Sequence, residues 1–115
     1  MANNIPFQEM GKTVRINVST SANTVAIVAD SPCNQLRVHN GSAAEVFIRC
    51  GTTSTSDAAI PVAGTPNYGI ALHNNATNIY TAPRLPTQSG GYTFYVSAIV
   101  ASGNAVVYVT PGEGL

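Results

Sequence analysis

Short segments in which apolar and polar residues alternate recur along the whole chain, and they constrain the fold more than any other feature. In residues 13–18, for example, Val14, Ile16 and Val18 fall on one face of an extended strand. Similar segments occupy residues 24–29, 35–39, 45–49, 69–72, 77–80, 93–100 and 105–110. Turn-forming residues separate them, and no helical periodicity of useful length occurs. The pattern predicts an all-β fold, a single-domain antiparallel β-sandwich of about eight short strands that is similar to a jelly roll.

The faces of these strands also predict the core and the end of the last strand. Residues 24–29 are apolar on both faces, which predicts a central position in a sheet. We expect the last strand to end at Thr110, because Pro111 has no backbone N–H to donate. The predicted core positions are Ile16, Val25, Ile27, Leu36, Val38, Val46, Ile48, Val96, Val107 and Val109.

The turn residues after His39 predict a hairpin between residues 35–39 and 45–49. A two-residue loop would pair His39 with Ser42. A five-residue loop is favoured instead, because it collects four aliphatic side chains on one face. The pairs in that register are Leu36–Ile48, Arg37–Phe47, Val38–Val46 and His39–Glu45.

Charge is scarce in this chain, and this bears on the kind of protein it is. Only 9% of residues are charged, and five Lys or Arg balance five Asp or Glu, whereas about 25% is usual. Two explanations are open. Either uncharged hydroxyls and amides face the water, or neighbouring subunits cover much of the surface, since the cores of protein interfaces are depleted of charged residues. Zero net charge argues against nucleic acid and anionic membranes as partners. The composition predicts an assembly component.

Export and membrane insertion are not predicted. No apolar run approaches the roughly 18 residues that span a bilayer, and the N-terminal residues lack the regions of a signal peptide. We therefore expect synthesis in the cytosol, where a disulfide between Cys33 and Cys50 is disfavoured. The two cysteines also lack the spacing of a metal site. We therefore expect both to be small buried side chains.

Catalytic and metal-binding motifs find little support. His39 and His73 stand alone in strand-like segments, and no two acidic residues have a spacing that would pair them. Asp30, Asn34 and Asp57 are near loops but lack the spacing of a calcium-binding loop. No nucleotide-binding glycine motif is present. We therefore expect that the protein is not an enzyme and that it binds neither a cofactor nor a metal.

Aromatic residues offer another kind of site, a platform for stacking sugar rings. The pattern favours half-buried aromatics of the sandwich, since Phe94 and Tyr95 are adjacent and would point to opposite faces. The residues available for a platform are Tyr68, Tyr80, Tyr92, Phe94, Tyr95 and Tyr108. A carbohydrate-binding module therefore stays open as an alternative.

The N-terminal residues predict a separate arm. Residues 1–12 carry no periodicity, and the β-sandwich domain then covers residues 13–115. So short an arm cannot bury enough surface to order alone. We expect Ile5, Phe7 and Met10 to bind a partner, for instance with the arm paired to a sheet edge. The alternative is an N-terminal strand docked on the chain's own sandwich.

Two long loops complete the candidate partner-binding regions. Residues 51–66 and 82–91 have no strand pattern and contain several Pro and Gly. Loops of this length in a small domain are usually functional or disordered. Arg84 and Leu85, at the centre of the second loop, join the predicted partner-binding residues.

Four short segments in the middle and C-terminal parts of the chain share a layout with known proteins. They are LRVHNG at residues 36–41, VFIRCGT at 46–52, PVAGTP at 61–66 and VYVTPGEGL at 107–115. Over residues 35–115 the chain resembles the small β-sandwich capsid-decoration (cement) proteins of tailed bacteriophages. The resemblance implies binding outside the major capsid shell, often as a trimer.

The expected function is that of a structural virion protein. It would decorate and stabilise the capsid shell by binding the major capsid protein, because a ligand of the folded shell stabilises it by mass action. We expect a homotrimer that is made in the host cytoplasm and located in the virion. The alternatives are a tail or head-fibre component and a carbohydrate-binding β-sandwich module.

Overall fold

The structure is a computed structural model, which describes residues 8–9, 11–29, 35–51, 55, 57–81 and 92–113. In these residues β-strands form two antiparallel sheets, and none of them lies in a helix that could cross a membrane. The strands are β1 (Gln8–Glu9), β2 (Val14–Val18), β3 (Asn23–Ala29), β4 (Gln35–Asn40), β5 (Val46–Gly51), β6 (Ile70–Leu72), β7 (Thr77–Thr81), β8 (Tyr92–Val100) and β9 (Ala105–Glu113).

The order of the strands is that of a jelly roll. In the five-stranded sheet β1 and β2 both pair with β9, which is followed by β4 and β7. The four-stranded sheet has the order β3-β8-β5-β6. From β2 onward the chain changes sheet at every connection except the one between β5 and β6. The predicted all-β antiparallel sandwich is therefore confirmed.

The core lies between the two sheets and matches the predicted set closely. Nine of the ten predicted core residues are buried, and Val25 is half-buried against the same cluster. Val18, Leu72, Phe94 and Val100 add to it. Alternation along each strand is the physical reason, because every second side chain points inward.

The predicted hairpin between β4 and β5 is wrong. β4 pairs with β7 and β9, while β5 pairs with β6 and β8, so the two strands lie in different sheets. His39 consequently lies opposite Thr77 and Tyr108, not opposite Glu45. The connection after β4 is an arch that crosses from one sheet to the other.

Two facing strands satisfy the same hydrophobic pattern as two paired strands. Leu36 and Val38 of β4 point into the core from one sheet, and Val46 and Ile48 of β5 point into it from the other. All four side chains are fully buried in this arrangement. Period-two alternation places these residues inside the sandwich but does not distinguish pairing within a sheet from packing between sheets.

The Asn40 side chain ties the arch to a second connection between the sheets. It is fully buried, and its Nδ2 donates to the carbonyl oxygens of Ala44 at 2.7 Å and of Leu72 and His73 at 3.2 Å each. Its Oδ1 accepts from the backbone N–H of Ser42 at 3.1 Å and from the Ser42 hydroxyl at 2.6 Å. One amide therefore links the β4–β5 connection to the β6–β7 connection.

β3 lies at the end of its sheet, so the predicted central position is wrong. It pairs with β8 and comes first in the four-stranded order. Its outward residues Ala26 and Val28 are exposed, with Val28 at 54%. Single apolar side chains are common on protein surfaces, and a strand that is apolar on both faces therefore does not have to be central.

β9 continues past its predicted end at Thr110 because Pro111 lies beside an interruption in the ladder. The carbonyl of Val106 faces β4, where it accepts an N–H from the arch at 2.9 Å. Alternation along the strand then turns the nitrogen of Pro111 toward the β1–β2 side. Among the described residues, pairing with β9 on that side stops at Glu9 and resumes at Val14. The missing N–H falls where the ladder has a gap.

Candidate functional site

A cleft opens at one side of the sandwich, where β6 and β7 end their respective sheets. It has a volume of about 470 Å³, which is within the range of small-molecule sites. β6 pairs with β5 only as far as Ile48, whereas β5 runs on to Gly51. The opening lies beside this second half of β5. Its lining residues are Ile48, Arg49, Cys50, Tyr68, Gly69, Ile70 and Tyr80.

The floor of the cleft is apolar. Ile48 lies opposite Ile70 in the β5–β6 pair, so both side chains are on the inner face of their sheet. Ile48 is fully buried, whereas Ile70 at the edge is 50% exposed. Cys50, also on the inner face, has a free thiol, and burial raises the pKa of that thiol from 9.0 to about 11. The thiol is therefore uncharged at neutral pH.

One wall of the cleft is built from Arg49 and Tyr68. The guanidinium carbon of Arg49 lies 4.1 Å from the centroid of the Tyr68 ring, which is a cation–π contact. The Nη1 group of Arg49 also donates to the carbonyl oxygen of Asp57 at 3.2 Å. Tyr68 is 70% exposed. Arg49 therefore covers one face of this ring while the ring keeps its other face open to solvent.

The loop that carries Tyr68 is anchored on the outer face of the four-stranded sheet. The backbone N–H of Ala58 donates to the Ser97 hydroxyl at 2.8 Å, and both residues are buried. The Thr24 hydroxyl donates to the Asp57 carboxylate at 2.5 Å. These contacts hold the start of the loop against β3 and β8.

Gly69 closes the loop over β5. The Ala59 N–H donates to the Tyr68 carbonyl at 2.9 Å. A Cβ at position 69 would lie 2.3 Å from the Ala59 carbonyl oxygen and 3.3 Å from the Phe47 Cβ. Only glycine fits this approach without a shift of the backbone. The position of the Tyr68 ring thus depends on a glycine at its neighbour.

The opposite wall comes from β7. Tyr80 lies opposite Leu36 on the inner face and is half-buried against the core. Its hydroxyl accepts a hydrogen bond from Nδ2 of Asn78 at 3.3 Å, and Asn78 is exposed. The phenol therefore has an apolar body inside the sandwich and a polar tip at its rim.

β7 itself is an edge strand among the residues that the structure describes. It comes last in the strand order of the five-stranded sheet, and its sequence, TNIYT, has neither charge nor proline. Ile79, at its centre, points outward and is 49% exposed. This edge and the cleft share one side of the molecule.

The predicted aromatic candidates are distributed over several places. Tyr68 and Tyr80 meet at the cleft, whereas Phe94 belongs to the core. Tyr95 is on the outer face of the four-stranded sheet, one position along from Phe94. Tyr108 is on the outer face of the other sheet, with its ring centroid 6.4 Å from that of His39. The side chain of Tyr92 lies outside the described residues.

All five predicted partner-binding residues lie outside the described part of the chain. These residues are Ile5, Phe7, Met10, Arg84 and Leu85. Within the predicted arm, Gln8 and Glu9 pair with Glu113 and Gly112 of the chain's own β9. Cys33, Asp30 and Asn34 also lie outside the described residues. No group of three or more His, Cys, Asp or Glu side chains that could hold a metal occurs among the residues described.

Arg49, Gly69 and Ile70 were not predicted as site residues. Arg49 looks like an ordinary outward residue of a strand, and its contact with Tyr68 spans a loop whose path local patterns do not determine. The run Tyr68-Gly69-Ile70 is the available signal, since it places an aromatic residue and a glycine directly before a strand.

Comparisons with known proteins give no family. No protein-family model matches the chain, and no curated protein does. A solved structure titled "Crystal structure of PirA" is similar over 90% of this chain and 96% of that chain, with a TM-score of 0.47 and 10% identity. A likeness at this level says nothing about function.

Proposed function

We propose that this protein is a structural virion protein that decorates the capsid shell of a tailed bacteriophage by binding the major capsid protein. The observation that carries the proposal is the uncharged edge strand β7. It is supported by the low charge of the chain and by the resemblance of residues 35–115 to capsid-decoration proteins.

An edge strand presents unpaired backbone N–H and C=O groups, and proteins that stay alone protect such edges with charges, proline or bulges. β7 has none of these charges or prolines in its five residues. Ile79 adds an apolar side chain that is half exposed at its centre. Backbone pairing along β7 together with burial of Ile79 is a docking mode that a neutral protein surface can accept.

The charge content fits the same role. With 9% charged residues, the surface resembles the depleted core of an interface rather than an ordinary solvated face. Docking of a folded sandwich on the shell would stabilise the shell without chemistry, by mass action. Jelly rolls occur in viral capsid proteins and in lectins, which is a fold-level analogy only.

Incorporation into particles tests this proposal. The chain is co-produced with the capsid genes of the genome that encodes it, and purified particles are analysed by mass spectrometry. We expect copy numbers comparable to those of the major capsid protein. A sparse copy number would indicate the tail or head-fibre alternative, and absence from the particles would contradict a virion role.

Ile79→Lys tests the docking edge, and Val28→Lys is its matched control. Val28 is exposed to a similar degree on β3, which is also an uncharged edge strand but whose edge is partly occupied by the bridge between Gly11 and Ala29. We expect Ile79→Lys to reduce incorporation at least about tenfold, because a buried unpaired charge is costly at an interface. Val28→Lys should incorporate like the unchanged protein. Equal incorporation of the two variants would exclude β7 as the docking edge.

A further inference from the structure

We propose that the cleft between β5, β6 and β7 binds a sugar ring, with Tyr68 as the stacking platform, Arg49 as the support behind its ring and the Tyr80 hydroxyl as a hydrogen-bonding group. This inference goes beyond docking on a shell, because it uses the interior of the cleft rather than the β7 backbone. It rests on the shape of the cleft, on the open face of the Tyr68 ring and on the Tyr80 hydroxyl at the rim.

The stacking platform is already formed. Arg49 holds one face of the Tyr68 ring at 4.1 Å, and the loop behind the ring is pinned by the Ala59–Tyr68 hydrogen bond and by Gly69. Ordering a loop on binding lowers affinity, so a ring that is held in advance binds more tightly. The C–H groups on one face of a pyranose are apolar and partly positive, which suits the negative face of an aromatic ring.

The Tyr80 hydroxyl at the rim is the kind of group that recognises a sugar hydroxyl. The Arg49 guanidinium lies behind the Tyr68 ring and donates from Nη1 to the Asp57 carbonyl, so it fixes the platform and does not contact the sugar. The Tyr80 hydroxyl accepts from Asn78 and can still donate its own hydrogen. Tyr80 lines the cleft from the other sheet, so its hydroxyl is the group available to a hydroxyl of the stacked ring.

The floor suits the apolar side of a sugar rather than a metal or an ionic group. Ile48 and Ile70 supply aliphatic surface, and among the described residues of the lining Arg49 alone is charged. An apolar pocket with a few convergent polar groups is the usual form of a small-ligand site. The volume of about 470 Å³ accommodates a saccharide rather than a large cofactor.

A glycan array of neutral and acidic saccharides, followed by NMR titration of the isotope-labelled full-length protein, tests the inference. The probes in solution are the methyl glycosides of glucose, galactose, mannose and N-acetylglucosamine, with methyl glucuronide as the acidic arm. We expect at least one of them to bind and to shift the amide signals of Arg49, Gly69 and Ile70. Because Arg49 lies behind the platform, methyl glucuronide should bind no more tightly than methyl glucoside, and clearly tighter binding of the acidic probe would contradict this placement. Absence of binding on the array and at millimolar probe would overturn the inference.

Tyr68→Ala provides the decisive variant. We expect it to lower the affinity for the best probe roughly tenfold or more, because the stacking surface is lost. Tyr68→Phe keeps the ring and should bind nearly as well. Tyr108→Ala, which removes an exposed tyrosine from the outer face of the other sheet, is the control and should bind normally. Unchanged affinity in Tyr68→Ala, or equal losses in both alanine variants, would refute the site.

Discussion

Replacing Asn40 by alanine is the sharpest test of how the two sheets are joined. The amide makes five hydrogen bonds, three donated to carbonyls and two accepted from Ser42. Asn40→Ala leaves the carbonyls of Leu72, His73 and Ala44 without this donor in a partly or fully buried setting. Each such bond contributes about 1 kcal/mol net, and an unsatisfied buried group costs about 1–3 kcal/mol.

We expect Asn40→Ala to lower the free energy of unfolding by about 2–4 kcal/mol, because some of the orphaned groups can reach water. That is a large part of the roughly 5–15 kcal/mol available to a domain. Equilibrium urea unfolding measures the change. Asn78→Ala is the control, since Asn78 is exposed and its amide bonds the Tyr80 hydroxyl at the rim, and it should cost no more than about 0.5 kcal/mol.

Asn40→Asp separates the donor role of the amide from its acceptor role. The aspartate keeps an oxygen for Ser42 but points a second oxygen at the three carbonyls. Burial and these carbonyls raise the pKa of such a carboxyl, so its penalty is absent in acid below the unfolded pKa of about 3.9, grows as pH rises toward the raised folded pKa and is constant above it. We expect Asn40→Asp to be at least as destabilising as Asn40→Ala at pH 7. A cost below about 0.5 kcal/mol for Asn40→Ala would refute the role of this residue.

Three further predictions follow from the core, the cleft and the charge content. Ile48→Ala should cost about 2–5 kcal/mol in urea unfolding, since Ile48 is fully buried, and a loss below about 0.5 kcal/mol would contradict its burial. In a Cys33→Ser background, alkylation of Cys50 by iodoacetamide should keep accelerating from pH 9 to pH 11, because burial raises the pKa of its thiol to about 11; a rate that levels off near pH 9 would contradict this. Light scattering should report a homo-oligomer, with a trimer as the resemblance implies; a monomer at micromolar and higher concentrations would count against it.

The strands and the core follow from local pattern, whereas their pairing does not. Alternation predicts that Ile16, Val38 and Val107 are buried, and this prediction does not depend on which strands pair. Side-chain direction is a local property of an extended chain. Leu36 and Ile48 point into the core from different sheets instead of pairing within one sheet. The residue pattern of the two segments is the same for both arrangements. The end of β9 could not be predicted from the sequence either, because the cost of Pro111 in the strand depends on whether the neighbouring strand needs its N–H.

The cleft depends on contacts that sequence patterns do not specify. Tyr68 and Tyr80 were both candidates for a platform, but the loop that brings Tyr68 to Arg49 is positioned by Gly69 and by hydrogen bonds to distant strands. Long-range contacts of this kind are set by the whole fold. Residue types therefore gave the aromatic candidates, and the three-dimensional path of the loop decided which of them meet at the cleft.

A cryo-electron-microscopy map of the native particle tests the central claim most directly. The proposed function predicts jelly-roll density on the outside of the capsid shell, in numbers comparable to the major capsid protein, with the β7 edge and Ile79 turned toward that protein. Density confined to the tail, an outer shell without this fold, or a β7 edge that faces solvent in the bound protein would contradict it.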